Sequence, residues 1–258
     1  MSKSWDLYEL PVFVINMDRC PERLSTTTHN IRTAGFNINN IQRFRAVDGS
    51  DENMLATNWA HHGNPPFDPS KPEFSTYKGE QGCTLSHLNL WKHIITEQIP
   101  MAVVFEDDVF FHKDWATLSK QFMDMTPPSS DWDILFIGNQ IEHEMAGDII
   151  RVPVYCTHAY VITLDGAQRL YKHLLDRGAF PSGIYIIDCM LINSMWKMYK
   201  NKIGACTAGA GTAPFNWLVW NGLNYPDSRA LECDPKWAIR NTGLVFQDPV
   251  FGTDIRPH

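Results

Sequence analysis

Three consecutive carboxylates, Glu106-Asp107-Asp108, stand directly after an unbroken apolar run, Met101-Ala102-Val103-Val104-Phe105. Like charges this close raise one another's pKa, and burial raises them further. A divalent cation removes that cost. Hard ions such as Mg2+ and Mn2+ prefer carboxylate oxygens and commonly take phosphate oxygens as well. Along an extended segment residues i and i+2 point the same way, so Glu106 and Asp108 are expected to face one site together. A solvated acidic turn that caps the next helix is the plain alternative for the same three residues.

Other clusters carry less. Glu142-His143-Glu144 is not HExxH, and its spacing fits no zinc site. His61-His62 lies beside a loop and reads as solvated rather than metal-bound. The six cysteines, Cys20, Cys83, Cys156, Cys189, Cys206 and Cys233, are scattered without a CxxC pair. That spacing speaks against a disulfide framework or a structural zinc and for reduced, mostly buried thiols.

The scaffold that must position the carboxylates reads as alternating strands and helices, the pattern of an α/β layered domain. Pro11 to Asn16 is a short apolar run ending in polar residues, which fits a buried strand opening into a loop. Pro21 suits the first turn of a helix running to Gly35. Ile41 to Val47 reads as a second strand, ended by the turn signal Asp48-Gly49. Residues 62 to 79, rich in Gly, Pro, Asn and Ser, read as a long loop. Helical spacing of Leu88, Trp91 and Ile95 begins after Thr84, and Pro100 stops it. Met101 to Phe105 is then a central strand that delivers the carboxylates at its C-terminal end, where open α/β sheets bind ligands. Asp133 to Gly138 and Thr157 to Leu164 are further strands. Asp165 is expected to cap a helix ending at Gly178, and Ile186 to Tyr199 reads as another. Periodicity fades after Gly204.

The whole chain sets limits on these readings. It has 258 residues, 44% of them apolar and 20% charged, enough for a sizeable core and too apolar for wholesale disorder. Its formal net charge of -7 disfavours general nucleic-acid binding, which needs a basic footprint. The N-terminus shows no basic segment followed by an apolar stretch, and no apolar run reaches the ~18 residues of a membrane span. The expectation is a cytoplasmic protein.

Seven stretches, in order, resemble glycosyltransferase family 25. They are VFVINMDRCPER (Val12 to Arg23), Arg45-Ala46-Val47-Asp48-Gly49, GEQGCTLSH (Gly79 to His87), Val103 to Asp108, AYVITLDGAQRL (Ala159 to Leu170), Ile187-Asp188, and Gln247 to Ile255 with Thr253 in a Ser position. That family includes bacterial enzymes that add galactose or glucose to lipooligosaccharide and collagen hydroxylysine galactosyltransferases. Residues 51 to 78 and 206 to 240 carry none of its landmarks, which leaves the acceptor open.

The resemblance implies a GT-A-type fold, a mostly parallel central sheet flanked by helices. It implies one such domain over 1–258, with 206–258 a less regular region completing the site. It further implies a metal-dependent hexosyltransferase that inverts the anomeric carbon, with a UDP-hexose donor and Mn2+ or Mg2+ as cofactor. The expected metal ligands are Glu106, Asp108 and Asp254. Asn16, Asp18, Arg23, Asp48, Gly82, Ser86, His87, Glu106, Asp107 and Gln247 are expected around the donor. Arg23 or Arg19 would lie near the diphosphate, although Arg19 also suits a solvated helix face. Gly79 to Gly82 is expected just before a helix start, where backbone N–H groups favour anions. His87 could instead be a satisfied helix histidine packed near Trp91. Inversion needs a general base, and Asp188, between two apolar runs, is the expected one; a helix N-cap is its other reading. Trp217, Trp220, Tyr225 and Trp237 could stack on sugar faces, with core packing the commoner use. The expected partners are a nucleotide sugar and a glycan or hydroxylysine-containing protein acceptor, with no nucleic acid, no membrane span, and peripheral membrane contact allowed. Two alternatives remain: a nucleotide-sugar-binding protein of the same fold without turnover, and a phosphohydrolase, which would need a second metal's His and Asp ligands that the sequence does not show.

Overall fold

A computed structural model describes residues 5–63, 78–126, 129, 132–141, 154–176, 187, 206–207 and 244–248. The elements in chain order begin with β1 (Val12–Asn16), α1 (Pro21–Thr33), β2 (Ile41–Arg45), α2 (Glu52–His61), α3 (Lys78–Thr96) and β3 (Met101–Glu106). They continue with β4 (Val109–Phe111), α4 (Trp115–Met125), β5 (Ile134–Ile141), β6 (Val154–Thr163), α5 (Leu164–Asp176), β7 (Cys206–Thr207) and β8 (Val245–Gln247).

The main sheet has the order β2-β1-β3-β6-β5-β7. β1 pairs in parallel with β2 and β3, and β5 with β7, while β6 runs antiparallel to both β3 and β5. Five described strands therefore point one way and β6 points back between them. The sheet is mostly parallel, as expected, and lies between helices. Phe13, Ile15, Ala102 and Val104 pack on one face with Leu85, Leu88 and Trp91 of α3. Val12, Val14, Val103 and Phe105 pack on the other with Ile31, Phe36, Trp115 and Phe122. Burial on both faces is why β1 and β3 read as continuous apolar runs.

Local signals set most element ends. Pro21 opens α1 at a first-turn position, where its missing N–H costs nothing. The Asp51 carboxylate caps α2 by accepting the Met54 N–H at 2.9 Å. α5 is capped by Thr163, whose Oγ1 accepts the Gly166 N–H at 2.9 Å, and not by the expected Asp165. α3 begins six residues before the expected Thr84, so Gly79 to Gly82 form its first turn rather than a loop before it. Packing overrides the helix-breaking character of those glycines.

Parallel pairing brings the ends of β1, β2 and β3 to one edge. Asn16 pairs with Arg45, and Ile15 pairs with Glu106. β4 leaves this edge and pairs antiparallel with β8, setting Gln247 opposite Val109.

Candidate active site

The strand carrying the acidic cluster ends at Glu106, so strict alternation does not extend to Asp108. Glu106 turns toward α3 and β6, where its Oε1 is 3.3 Å from His87 Nε2 and accepts the Thr157 hydroxyl at 2.9 Å. Asp107 and Asp108 share the guanidinium of Arg23 from α1, at 2.7 and 3.1 Å. The strand alternation expected to set Glu106 and Asp108 side by side stops at Glu106, because the chain turns at once after β3; Glu106 commits Oε1 to His87 and Thr157, and Asp108 commits Oδ2 to Arg23.

Asn16 ties the turn to β1. Its Nδ2 donates to Asp107 Oδ2 at 2.6 Å and to the Cys20 carbonyl at 2.8 Å, and its Oδ1 accepts from Arg43 Nε at 2.9 Å. Asp18 accepts from Arg43 and, at 2.7 Å, from Arg45. Those two arginines hold its carboxyl below the usual range. Asp48 accepts from the Ser50 N–H and hydroxyl and from Arg19 Nε at 2.8 Å. Arg19 precedes α1 and is about half exposed, 48%.

The three acidic residues differ in charge preference. Burial pushes Glu106 up, but the His87 hydrogen bond, with its neighbours, holds the carboxyl below its ordinary value. Burial raises Asp107, only partly offset by Arg23. Burial and then the Glu106 charge raise Asp108 well above the usual range. Asp108 Oδ1 is buried and has no hydrogen-bond partner. An orphaned carboxylate oxygen beside a second carboxylate fits a hard divalent cation. Cys83, His87 and Glu106 also bring ligand atoms within 4.8 Å of one another, a softer and different set.

Ser86 and Gly82 join two neighbouring segments. Ser86 Oγ accepts the Val47 N–H at 2.8 Å and donates to the Gly82 carbonyl at 2.6 Å. A Cβ on Gly82 would stand 2.5 Å from the Val47 carbonyl oxygen, so only glycine permits this approach. His87 is fully buried, with Nδ1 2.9 Å from the Tyr160 hydroxyl. β8 sets Gln247 opposite Val109, and the neighbouring Asp248 N–H donates to the Asp108 carbonyl. Asp188, Asp254, Glu142 to Glu144, Trp217, Trp220, Tyr225 and Trp237 lie outside the described residues.

Three contacts were not anticipated: Arg43, Thr157 and Tyr160. A tyrosine inside a buried strand needs a partner for its hydroxyl, and that was the available signal for Tyr160. Two expectations are corrected. His62 is buried and bonded to Tyr171 and Asn89, not solvated. Cys20, Cys83 and Cys156 are reduced, as expected, but half-buried rather than buried.

Comparison with known proteins agrees with the sequence landmarks. The family described as "Glycosyltransferase family 25 (LPS biosynthesis protein)" matches residues 9–144, just over half the chain. The chain belongs to glycosyltransferase family 25. A Bos taurus relative called "Probable inactive glycosyltransferase 25 family member 3" is 30% identical over 175 residues, covering 62% of this chain and 28% of its own length. The Mus musculus "Procollagen galactosyltransferase 2" is 28% identical over 183 residues, covering 67% of this chain and 28% of its own. The chain thus spans little more than a quarter of these curated relatives. Mouse xyloside xylosyltransferase 1, in its apo form, overlays 95% of this chain and 99% of its own at a TM-score of 0.46 with 10% identity, too distant a likeness to carry an argument. No described helix is long and apolar enough to cross a membrane.

Proposed function

We propose that this chain transfers a hexose, galactose or glucose, from a UDP-sugar to a hydroxyl acceptor, with inversion at the anomeric carbon. Family membership supports the reaction class. The observation that carries the site is the buried, unpartnered Oδ1 of Asp108, a carboxyl that the Glu106 charge reaches, at the sheet edge where β1, β2 and β3 end.

Asp108 and Glu106 would hold a divalent cation, Mn2+ or Mg2+, with Asp254 the third ligand. When bound, the cation neutralises charge on the departing diphosphate. Arg23 offsets part of the charge on Asp107 and Asp108 before the cation arrives, and Asn16 fixes Asp107. Asn16, Asp18, Asp48, Gly82, Ser86, His87, Asp107 and Gln247 line or shape the donor's surroundings. The acceptor oxygen bonds to the anomeric carbon as the bond to the diphosphate breaks. The electron pair leaves with UDP, and the acceptor proton passes to a base, the role assigned to Asp188. A procollagen-type protein is the acceptor that one relative's name supports, and a lipopolysaccharide-type glycan is the one the family description supports.

UDP release from UDP-galactose and UDP-glucose, with and without Mn2+, tests this reading on wild type and Asp108→Ala. Metal-dependent release that falls at least about a hundredfold in the variant agrees with it. A donor-binding protein without turnover is the second reading, favoured by the relative described as probably inactive. It predicts Mn2+-dependent UDP binding and no release from either donor with either class of acceptor present.

A further inference from the structure

Glu106 Oε1 ends a buried chain of hydrogen bonds that the reaction itself does not require. Trp91 Nε1 lies 2.9 Å from the Tyr160 hydroxyl oxygen, and that oxygen lies 2.9 Å from His87 Nδ1. His87 Nε2 lies 3.3 Å from Glu106 Oε1. Trp91, Tyr160 and His87 are all fully buried. An indole N–H can only donate, so Tyr160 accepts from Trp91; the Glu106 carboxylate can only accept, so the ring proton of a neutral His87 sits on Nε2 and the Tyr160 hydroxyl donates to Nδ1. A neutral imidazole that accepts at Nδ1 carries its proton on Nε2, which then points at Glu106. Thr157 adds a second donor to the same oxygen at 2.9 Å.

Thr157 and Tyr160 are three residues apart on β6, and an odd separation places side chains on opposite faces of a regular strand. Both nevertheless serve Glu106. β6 is irregular at this point. Cys156 has φ +72°, a left-handed conformation unusual for a side-chain-bearing residue, and the β5–β6 register shifts around Gly138. Such strain persists only where surrounding structure enforces it, and it clusters at functional sites.

We propose that Tyr160, His87 and Thr157 are positioning residues that commit Glu106 Oε1 to the protein and leave Oε2 as the oxygen presented to the nucleotide–cation complex. This rests on the nucleotide-sugar reading above. Outer groups that orient a binding carboxylate typically account for about 10–100-fold in affinity or activity. They do so by removing wrong orientations rather than by touching the ligand.

Two measurements on the full chain test it. The first is the tautomer of His87, read from nitrogen chemical shifts of histidine-labelled protein. Wild type should show His87 as a single Nε2–H form, and Tyr160→Phe should mix the two forms or invert them. A wild-type Nδ1–H or doubly protonated ring, or an unchanged tautomer in Tyr160→Phe, overturns the chain of donors. The second is calorimetric UDP binding with Mn2+. Thr157→Val, which keeps shape and loses the hydroxyl, should bind at least about tenfold more weakly, while Thr157→Ser keeps affinity within about threefold. Equal binding by Thr157→Val and wild type, or equal loss in both variants, overturns the positioning role. If wild type itself fails to bind UDP, the nucleotide-sugar reading falls, and the His87 tautomer alone still decides whether the relay exists.

Discussion

Asp108 works against the stability of the protein that carries it. Burial and the nearby Glu106 raise its carboxyl pKa well above the usual range. A raised carboxyl binds its proton more tightly in the folded state than in the unfolded one. Its penalty is therefore absent below the ordinary carboxylate range and grows as pH rises toward the folded value. At neutral pH without metal, Asp108→Asn should melt higher by about 2–4 °C, the shift that about 1 kcal/mol produces in a chain of this size. Scanning calorimetry checks this, and a lower melting temperature would speak against a strained ligand. His62 makes the opposite kind of statement. Burial depresses its pKa to about 4, with Tyr171 and Asn89 on its two ring nitrogens. The unfolded chain takes up a proton near 6.5 that the folded chain refuses until about 4. Stability from this group is full above 6.5 and drains away as pH falls through that window, by up to about 3 kcal/mol. Melting curves from pH 7 to pH 5 should show the loss in wild type and a flatter profile in His62→Gln.

At the scale of elements, the contact between α3 and the β2–α2 connection is the tightest constraint near the site. Gly82→Ala improves helix propensity by up to about 1 kcal/mol. The new Cβ would also meet the Val47 carbonyl oxygen at 2.5 Å and the Gly49 nitrogen at 2.9 Å, both backbone atoms that cannot swing aside. Overpacking of this kind costs about 1–3 kcal/mol, so the clash should win and lower the melting temperature by several degrees. An unchanged or higher melting temperature would show that the two segments can separate. This contact also explains what could be read in the sequence. The Ala46-Val47-Asp48-Gly49 and Gly79 to His87 stretches were legible as landmarks, but the bonds that Ser86 makes to both of them were not. Neither stretch displays the other as its partner, because the two are joined by tertiary contact alone. α2 left almost no trace, since only Leu55 and Trp59 are buried on it and two residues make no stripe.

Over the whole molecule, the legible part is the sheet's centre. Strands buried on both faces announce themselves as apolar runs, and β3 reads from the sequence with its acidic residues at its C-terminal end, where the structure has them. The reversal of β6 was not legible, because a buried strand reads the same in either direction. The Glu106 relay was invisible for a related reason: Trp91, Tyr160 and Thr157 come from α3 and β6, and only the reversed strand brings them to one carboxylate. A ligand that binds only the folded chain stabilises it by mass action, about 2.7 kcal/mol at a hundred times its dissociation constant. UDP and Mn2+ together should therefore raise the melting temperature by about 5–10 °C, and either alone by much less. The most direct test is calorimetric titration of UDP into the metal-free chain and into the chain with Mn2+, repeated on Asp108→Asn. The account predicts tight binding only with Mn2+ in wild type, and loss of that metal dependence in a variant that remains folded. Equal UDP affinity with and without Mn2+, or an Asp108→Asn variant that binds as wild type does, would contradict it.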